Sequence, residues 1–254
     1  MVSTSVTTRA RATGSAAPRW QEAAVAEVIE EAPDAVTLRL GLEEPGGFLP
    51  GQNYNVRLAV SGRERPVQRA CSVGSSPAPD LSVIDLGVRE VPPGLRSPLL
   101  VGLRPGRPLP VRGPYGRFTW SGQDAGGALL VGAGSGLVPL MSMLRHAAYR
   151  GRADPVWLIC SATTHDHTSY RDELADLADR HRWLRLVQCI TRDPAERRAH
   201  YHGRVDKGVV AETLGTARPT AAYLCGPPAM VESVAVSLVE LGVDPGHIAT
   251  EKYD

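Results

Sequence analysis

Cysteine, aromatic residues and net charge are all scarce in this 254-residue chain. The four cysteines lie far apart and form no C-x-x-C pair, which argues against a disulfide framework, a zinc site or an iron–sulfur cluster. The net charge of +1 gives no reason to expect a nucleic-acid or membrane surface. No apolar run reaches the length of a membrane span, and residues 1–19 lack the apolar centre of a secretory signal. We therefore expect a globular protein of the cytoplasm, with a disordered tail over residues 1–19.

The stretch from Trp20 to about Phe118 consists of short apolar runs separated by Gly, Pro and Asp. Close spacing and period-two alternation favour a small antiparallel barrel or sandwich, which we assign to a first domain over residues 20–122. One short helix is expected between Gly94 and Leu103. The predicted strands lie at 35–42, 53–60, 67–73 and 81–88.

Beyond the loop at 121–127 the pattern changes to alternating strands and helices, which predicts a parallel sheet with helices on both faces. We assign this α/β unit to a second domain over residues 123–254. Its helices are expected to begin near Leu137, after a Ser169 cap, and before Val231. The five predicted strands lie at 128–131, 156–161, 184–190, 221–225 and 247–251.

The run ALLVGAGSGLVPL at 128–140 joins a predicted strand to a predicted helix through alternating glycines. Glycines permit close approach of a ligand to the main chain, and a helix start offers unpaired N–H groups to a diphosphate. The dinucleotide fingerprint G-x-G-x-x-G would need its third glycine at Leu137, so the loop is a near miss. A glycine turn without a ligand is the alternative interpretation.

Four motifs, in this order, resemble those of the ferredoxin–NADP reductase family. They are RACS at 69–72, GPYGRF at 113–118, GAGSGLVP at 132–139 and CGPPAM at 225–230. The resemblance implies an antiparallel β-barrel that binds FAD, followed by an α/β domain with a five-stranded parallel sheet that binds NAD(P)H. The third motif then becomes the family's loop G-x-G-x-G-x-x-P, which holds the dinucleotide diphosphate.

For FAD the resemblance implies two groups of residues. The first matches the family's R-x-Y-S motif and comprises Arg69, Ala70, Cys71 and Ser72. The second matches its G-x-x-S signature and comprises Gly94, Leu95, Arg96 and Ser97.

The chemistry of the first group fits this assignment. The guanidinium of Arg69 can pair with a diphosphate in two places, and Ser72 can hydrogen-bond the flavin ring. Cys71 stands where the family has a tyrosine that lies against the flavin. Either the flavin binds and its ring contact comes from elsewhere, or Cys71 is a small apolar residue that fills space on a barrel strand.

For the dinucleotide the resemblance implies residues of the glycine loop, of a later strand and of the chain end. The candidates are Gly132, Gly134, Ser135, Gly136, Pro139, Cys225, Gly226, Met230, Glu251 and Tyr253. Thr163 and Arg192 are candidates for the adenosine end, and the lack of arginine after Ser161 favours NADH slightly over NADPH. Ser72, Cys225 and Glu251 are the expected catalytic residues.

The resulting hypothesis is an NAD(P)H-dependent flavoprotein reductase in which hydride passes from nicotinamide to flavin. Its electrons are expected to go to a separate ferredoxin-type iron–sulfur protein or to an oxygenase component. A free-flavin reductase and a non-catalytic dinucleotide-binding or sensor protein with an eroded flavin site are the alternatives. No metal site is expected, and neither nucleic acid nor a membrane is an expected partner.

Overall fold

A computed structural model of the chain describes residues 17–60, 62, 64–90, 96–120 and 126–253. The predicted tail and the Gly94–Leu95 part of the second FAD signature therefore lie largely or wholly outside the described residues. The described N-terminal half is rich in strands and holds one short helix, α1 (Arg96–Val101). Its strands are β1 (Trp20–Gln21), β2 (Ala23–Ala32), β3 (Ala35–Leu42), β4 (Asn53–Leu58), β5 (Val67–Ser72), β6 (Val83–Arg89) and β7 (Val111–Tyr115).

These strands form two antiparallel sheets around one core, which is the barrel-like architecture expected from the sequence. The sheet orders are β1-β7-β4-β5 and β2-β3-β6, and single bridges at Ala24–Pro108 and Val73–Leu86 join the two sheets. Leu38 and Leu40 of β3 point into the core, as their alternation predicts.

The second half is an α/β unit whose described strands all pair in parallel. The sheet order is β11-β10-β9-β8-β12-β13. The strands are β8 (Ala128–Ala133), β9 (Val156–Ala162), β10 (Leu184–Ile190), β11 (Tyr201–His202), β12 (Ala221–Gly226) and β13 (Ile248–Lys252). The helices are α2 (Leu137–Tyr149), α3 (Arg171–Arg180), α4 (Lys207–Leu214) and α5 (Pro228–Glu240).

The prediction of five strands was wrong by one, since the described sheet has six. The additional strand, β11, has only two residues, so it is too short to show an alternating pattern, and it pairs with Cys189 and Ile190 at the end of β10. Helix α4 was not expected from the sequence; it begins at an Asp206 cap whose side chain accepts a hydrogen bond from the Val209 N–H. Apolar clusters cover both faces of the sheet, with α2 and α3 on one face and α4 and α5 on the other.

The start of α3 differs from the prediction. Ser169 does not cap the helix; its hydroxyl instead accepts a hydrogen bond from Arg89 of the barrel. The cap position is occupied by Tyr170, which has a left-handed backbone with φ of 58° and no side-chain cap bond. The Tyr170 hydroxyl lies 3.1 Å from the Thr37 hydroxyl of β3. A contact between domains thus overrides the local capping preference and holds a strained conformation.

The two domains pack closely along β6 and α2. A Cβ atom at Gly87 of β6 would collide with the side chain of Val138 in α2. The hydroxyl of Ser142 in α2 donates to the carbonyl of Ser75 at 2.6 Å, and the guanidinium of Arg145 donates to the carbonyl of Gly74 at 2.8 Å. This interface fixes the segment that follows β5 against α2, the helix that begins at the glycine loop.

Gly87→Ala is expected to lower the free energy of unfolding by about 1–3 kcal/mol, because the added methyl group overpacks the interface against Val138. Denaturant unfolding measures the change. Gly41→Ala in neighbouring β3 is the matched control, since no atom lies within 4 Å of its Cβ position. Equal effects of the two substitutions would show that Gly87 is not required for close packing.

Candidate functional site

The structure brings together four predicted site residues at the junction of the domains. Ser72 ends β5 of the barrel, Cys225 lies near the end of β12, and Glu251 and Tyr253 belong to the C-terminal segment. The Tyr253 hydroxyl lies 2.6 Å from the Ser72 hydroxyl and 3.0 Å from a carboxylate oxygen of Glu251. Cys225 pairs with Glu251 across the sheet. One cluster is thus formed from both domains and from residues separated by 181 positions.

Burial determines the electrostatics of this cluster. It raises the pKa of the Cys225 thiol, and the negative charge of Glu251 raises it further. Burial also raises the pKa of the Glu251 carboxyl, and the hydrogen bond with Tyr253 partly opposes that shift. The pKa of the Tyr253 hydroxyl is raised mainly by burial as well. Cys225 therefore remains a neutral thiol at physiological pH, suited to close contact with a planar ring rather than to nucleophilic attack.

The glycine loop lies beside this cluster. After β8 a 3-10 turn spans Gly134–Gly136, and α2 follows directly. A Cβ atom at Gly136 would collide with the backbone carbonyl of Cys225, and one at Gly132 would lie 2.8 Å from Leu140. These two glycines let α2 approach the sheet. Pro139 falls in the first turn of α2, where its missing N–H has no intrahelical partner to lose.

Gly134 is the loop residue whose surroundings leave room for a ligand. Its φ is +57°, and the nearest atoms to its Cβ position belong to Arg89 at 3.8 Å. Ser135 is half-buried and precedes the N–H groups at the start of α2. The cradle therefore fits a dinucleotide diphosphate, which would accept hydrogen bonds from these main-chain donors.

Arg89 at the end of β6 is a further candidate site residue, which was not expected from the sequence. Its NH1 donates to both carboxylate oxygens of Asp34 at 2.6 and 2.7 Å. Its NH2 donates at 2.9 Å to the carbonyl of His167 and to the hydroxyl of Ser169. Its Nε is buried without a partner among the described residues. No local motif marks this position, because its neighbour Gly134 belongs to the other domain.

The R-x-Y-S match follows β5. Arg69 is half-buried and faces Val56 of β4, and Ala70 is exposed. Cys71 faces Tyr54 and is only 3% exposed, within the apolar core of the barrel. Burial raises the pKa of its thiol to about 11, with a small opposing effect from the charge of Arg69. This buried, apolar environment fits the interpretation of Cys71 as a small residue that fills space in the barrel.

The second FAD signature is described only in part. Gly94 and Leu95 lie outside the described residues, and the backbones of Arg96 and Ser97 form the start of α1.

The remaining dinucleotide candidates lie at the carboxyl edge of the sheet. Thr163 follows β9, and its carbonyl accepts a hydrogen bond from the N–H of Arg192, which follows β10 and is exposed. Gly226 ends β12 with a φ of +151°, and a Cβ there would lie 2.9 Å from the Met230 side chain. The Gly226 carbonyl accepts a hydrogen bond from the N–H of Tyr253, which ties the chain end to the site.

The described part of the chain holds neither a metal-binding cluster nor a membrane-spanning helix. No group of three His, Cys, Asp or Glu side chains is placed to hold a metal ion. No described helix is long and apolar enough to cross a membrane.

Two family models match the chain in succession. The oxidoreductase FAD-binding domain matches residues 22–120, and the oxidoreductase NAD-binding domain matches residues 130–235.

Named relatives extend this match. The chain is 35% identical to ferredoxin–NADP reductase B of Sorangium cellulosum, over 82% of its own length and 86% of the relative. It is 30% identical to the reductase subunit of an aromatic O-demethylase of Amycolatopsis, with coverage of 91% and 68%. It is also 30% identical to the reductase component of propane 2-monooxygenase of Mycolicibacterium goodii, but spans only 58% of that protein.

Solved structures agree with these matches. An Amycolatopsis cytochrome P450 reductase superposes with a TM-score of 0.80 at 30% identity, over 92% of this chain and 70% of the other. The ferredoxin reductase in carbazole 1,9a-dioxygenase gives a TM-score of 0.79 at 26% identity, with coverage of 93% and 70%. Together with the junction of Ser72, Cys225, Glu251 and Tyr253, these matches identify the chain as a member of the ferredoxin–NADP reductase family of FAD- and NAD(P)H-dependent oxidoreductases.

Proposed function

We propose that this chain is an FAD-dependent NAD(P)H reductase that delivers electrons to a separate one-electron acceptor. The observation that carries the proposal is the hydrogen-bonded contact of Ser72, from the barrel, with Tyr253, from the α/β domain, beside the buried thiol of Cys225. A flavin held by the barrel and a nicotinamide held by the sheet would meet at this junction. Bound FAD supplies the chemistry, because it accepts a hydride and releases electrons one at a time.

The residues of the chain have binding and positioning roles in this proposal. Arg69 pairs with the FAD diphosphate, and the Ser72 hydroxyl holds the flavin ring by a hydrogen bond. Main-chain N–H groups after Gly134 hold the dinucleotide diphosphate. The Tyr253 hydroxyl donates a hydrogen bond to the Glu251 carboxylate, which fixes the tyrosine that covers the junction.

The proposed acceptor is a ferredoxin-type iron–sulfur protein or an oxygenase component. The relatives support it, since they are named as a ferredoxin–NADP reductase and as reductase components of oxygenases. The four free, buried cysteines are in keeping with the proposed location in the cytoplasm, where thiols stay reduced.

The decisive experiment is anaerobic mixing of the FAD-loaded protein with NADH or NADPH. We expect the flavin absorbance to bleach and the reduced flavin to stay bound. Release of the flavin on reduction would favour a free-flavin reductase. A protein that binds no FAD would contradict the proposal and favour the sensor alternative.

Arg69→Ala is expected to raise the dissociation constant for FAD about 10- to 100-fold, because a diphosphate loses a charged, bidentate partner. Titration of the apoprotein with FAD measures the change. Arg65→Ala is the matched control, since Arg65 is an exposed arginine just before the same strand. Unchanged FAD affinity in Arg69→Ala would remove Arg69 from the flavin site.

NADH is expected to bleach the flavin faster than NADPH at equal concentration. The reason is that residues 161–164, at the end of β9 and just beyond it, contain no arginine to hold a 2′-phosphate, and the exposed Arg192 is the nearest candidate in the next loop. Stopped-flow absorbance gives both rates. A faster rate with NADPH, lost in Arg192→Gln, would reverse the assignment and place the phosphate on Arg192.

Glu251→Gln is expected to have two effects. It slows flavin reduction about 10- to 100-fold, because Tyr253 loses its carboxylate partner. It also stabilises the fold at about pH 7, for a reason that lies in the pKa of Glu251. Burial raises the pKa of Glu251 above its ordinary value of 4.5. The folded state therefore binds more protons than the unfolded state above that pH, and stability falls as the pH rises through the folded pKa. Glutamine removes this loss.

Thermal unfolding from pH 5 to pH 8, at about one-unit steps, tests the stability part, and stopped-flow bleaching tests the rate. Glu240→Gln is the control, since Glu240 is an exposed carboxylate of α5 paired with Lys207 at 2.8 Å. A stability difference between wild type and Glu251→Gln that does not grow with pH would show that Glu251 is not the titrating group.

A further inference from the structure

Four side chains form a continuous stack on the outer face of the sheet β1-β7-β4-β5. The guanidinium carbon of Arg57 lies 3.8 Å from the centre of the Trp20 ring, and that of Arg112 lies 4.9 Å from the same ring. The Arg112 carbon also lies 5.7 Å from the centre of the Tyr115 ring. Guanidinium and aromatic groups therefore alternate across three neighbouring strands, and all four residues are partly exposed. We call these residues the arginine stack.

Both arginines of this stack lack a carboxylate partner. Among the described residues, neither forms an ion pair, and the Nε of each is buried without a hydrogen bond. By contrast, Arg39, Arg89 and Arg145, which are also packed between strands or domains, all contact carboxylates. The arginine stack is thus a local concentration of positive charge that the fold does not neutralise.

The stacking geometry prepares these charges to bind carboxylates. A guanidinium that lies over an aromatic ring uses its planar face, which leaves the N–H donors at its edge available for bidentate hydrogen bonds. Contact with a ring on one or both sides also restricts the side chain, so less conformational entropy is lost on binding. An acidic protein surface is the partner that matches this arrangement of fixed donors.

The arginine stack is close to the redox junction. Ser72 pairs with Asn53 of β4, and Asn53 pairs with Tyr115 of β7, so the three residues form one row across the sheet. Neighbouring strands are about 4.8 Å apart, which puts Tyr115 roughly 10 Å from Ser72. A bulge then brings Arg112 to the same face, opposite Asn55. A protein bound to the stack would therefore lie beside the flavin position.

We propose that the arginine stack of Trp20, Arg57, Arg112 and Tyr115 is the docking surface for an acidic face of the one-electron acceptor, an iron–sulfur protein of the ferredoxin type. This inference rests on the proposed function, since it names the surface through which the reductase meets its acceptor. Arg57 and Arg112 pair with carboxylates of the acceptor, while the two rings hold the guanidinium groups in place. Binding weakens with salt because the contact is between exposed charges.

The test compares two acceptors with the FAD-loaded protein and NADH. An acidic plant-type [2Fe–2S] ferredoxin probes the docking surface, and a neutral benzoquinone probes flavin reduction without protein docking. In the double variant Arg57→Gln and Arg112→Gln, the KM for the ferredoxin is expected to rise at least about tenfold. Its FAD content and its kcat/KM for the quinone are expected to stay at the wild-type values. Added salt should raise the wild-type KM for ferredoxin and have less effect on that of the variant.

The matched control is the double variant Arg150→Gln and Arg182→Gln. These arginines are exposed and form no ion pair among the described residues. They follow α2 and α3 at the amino edge of the parallel sheet, opposite the edge that carries the glycine loop. The control changes the net charge by the same amount, so it is expected to leave the KM for ferredoxin within about twofold of wild type. An equal rise in both double variants, or no rise in either, would overturn the docking surface.

Two further outcomes separate this inference from the proposed function. A wild-type protein that reduces the quinone but not the acidic ferredoxin contradicts the docking surface and leaves flavin reduction by NADH intact. A protein whose flavin is not reduced by NADH or NADPH contradicts the proposed function itself. If the double variant unfolds, the single variants Arg57→Gln and Arg112→Gln replace it, and each is expected to raise the KM for ferredoxin about threefold. Wild-type KM values in both single variants would overturn the inference.

Discussion

The site depends on the contacts that Arg145 of α2 makes with the barrel. Its guanidinium donates to both carboxylate oxygens of Glu173 at 2.7 and 2.6 Å and to the carbonyl of Gly74 at 2.8 Å. It also lies 5.4 Å from the centre of the Tyr170 ring and 3.7 Å from a carboxylate oxygen of Asp85. Arg145 and Glu173 both belong to the α/β domain, so their ion pair holds the guanidinium in place, while Gly74 and Asp85 are its contacts in the barrel. These two contacts with the barrel favour one arrangement of the domains.

That arrangement has a direct chemical consequence. Ser72 belongs to the barrel, whereas Cys225, Glu251 and Tyr253 belong to the parallel sheet and its end. A hydrogen bond of 2.6 Å between Ser72 and Tyr253 forms only when the two domains are held in register. A shift of about 1 Å in such a constellation is enough to reduce a reaction rate about 100-fold. The packing of Gly87 against Val138 and the interdomain bonds of α2 therefore control the geometry of this cluster.

The sequence could predict the parts of the fold that have local patterns, and its motifs supplied candidate site residues. The strand, glycine loop and helix of 128–140 were visible from the change in periodicity, and the resemblance added Cys225, Glu251 and Tyr253. Arg89 and Tyr170 were missed because their partners lie in the other domain, and no spacing rule links residues so far apart. Ser169 is the opposite case. Its local sequence predicts a helix cap, but its hydroxyl accepts a hydrogen bond from Arg89 of the other domain. Cys71 could not be assigned either, because whether it faces the core depends on its pairing with Tyr54.

The three glycines of the loop have two different roles. Gly132 and Gly136 are required by the fold alone, since a methyl group at either would press on α2 or on the backbone of Cys225. Only Gly134 combines a left-handed backbone with open surroundings, and its nearest side chain is that of Arg89, which is half-buried and paired with Asp34. Two of the three glycines therefore indicate close packing of a helix against a parallel sheet. Evidence for an anionic ligand comes from Gly134 and from the main-chain N–H groups that follow it at the start of α2.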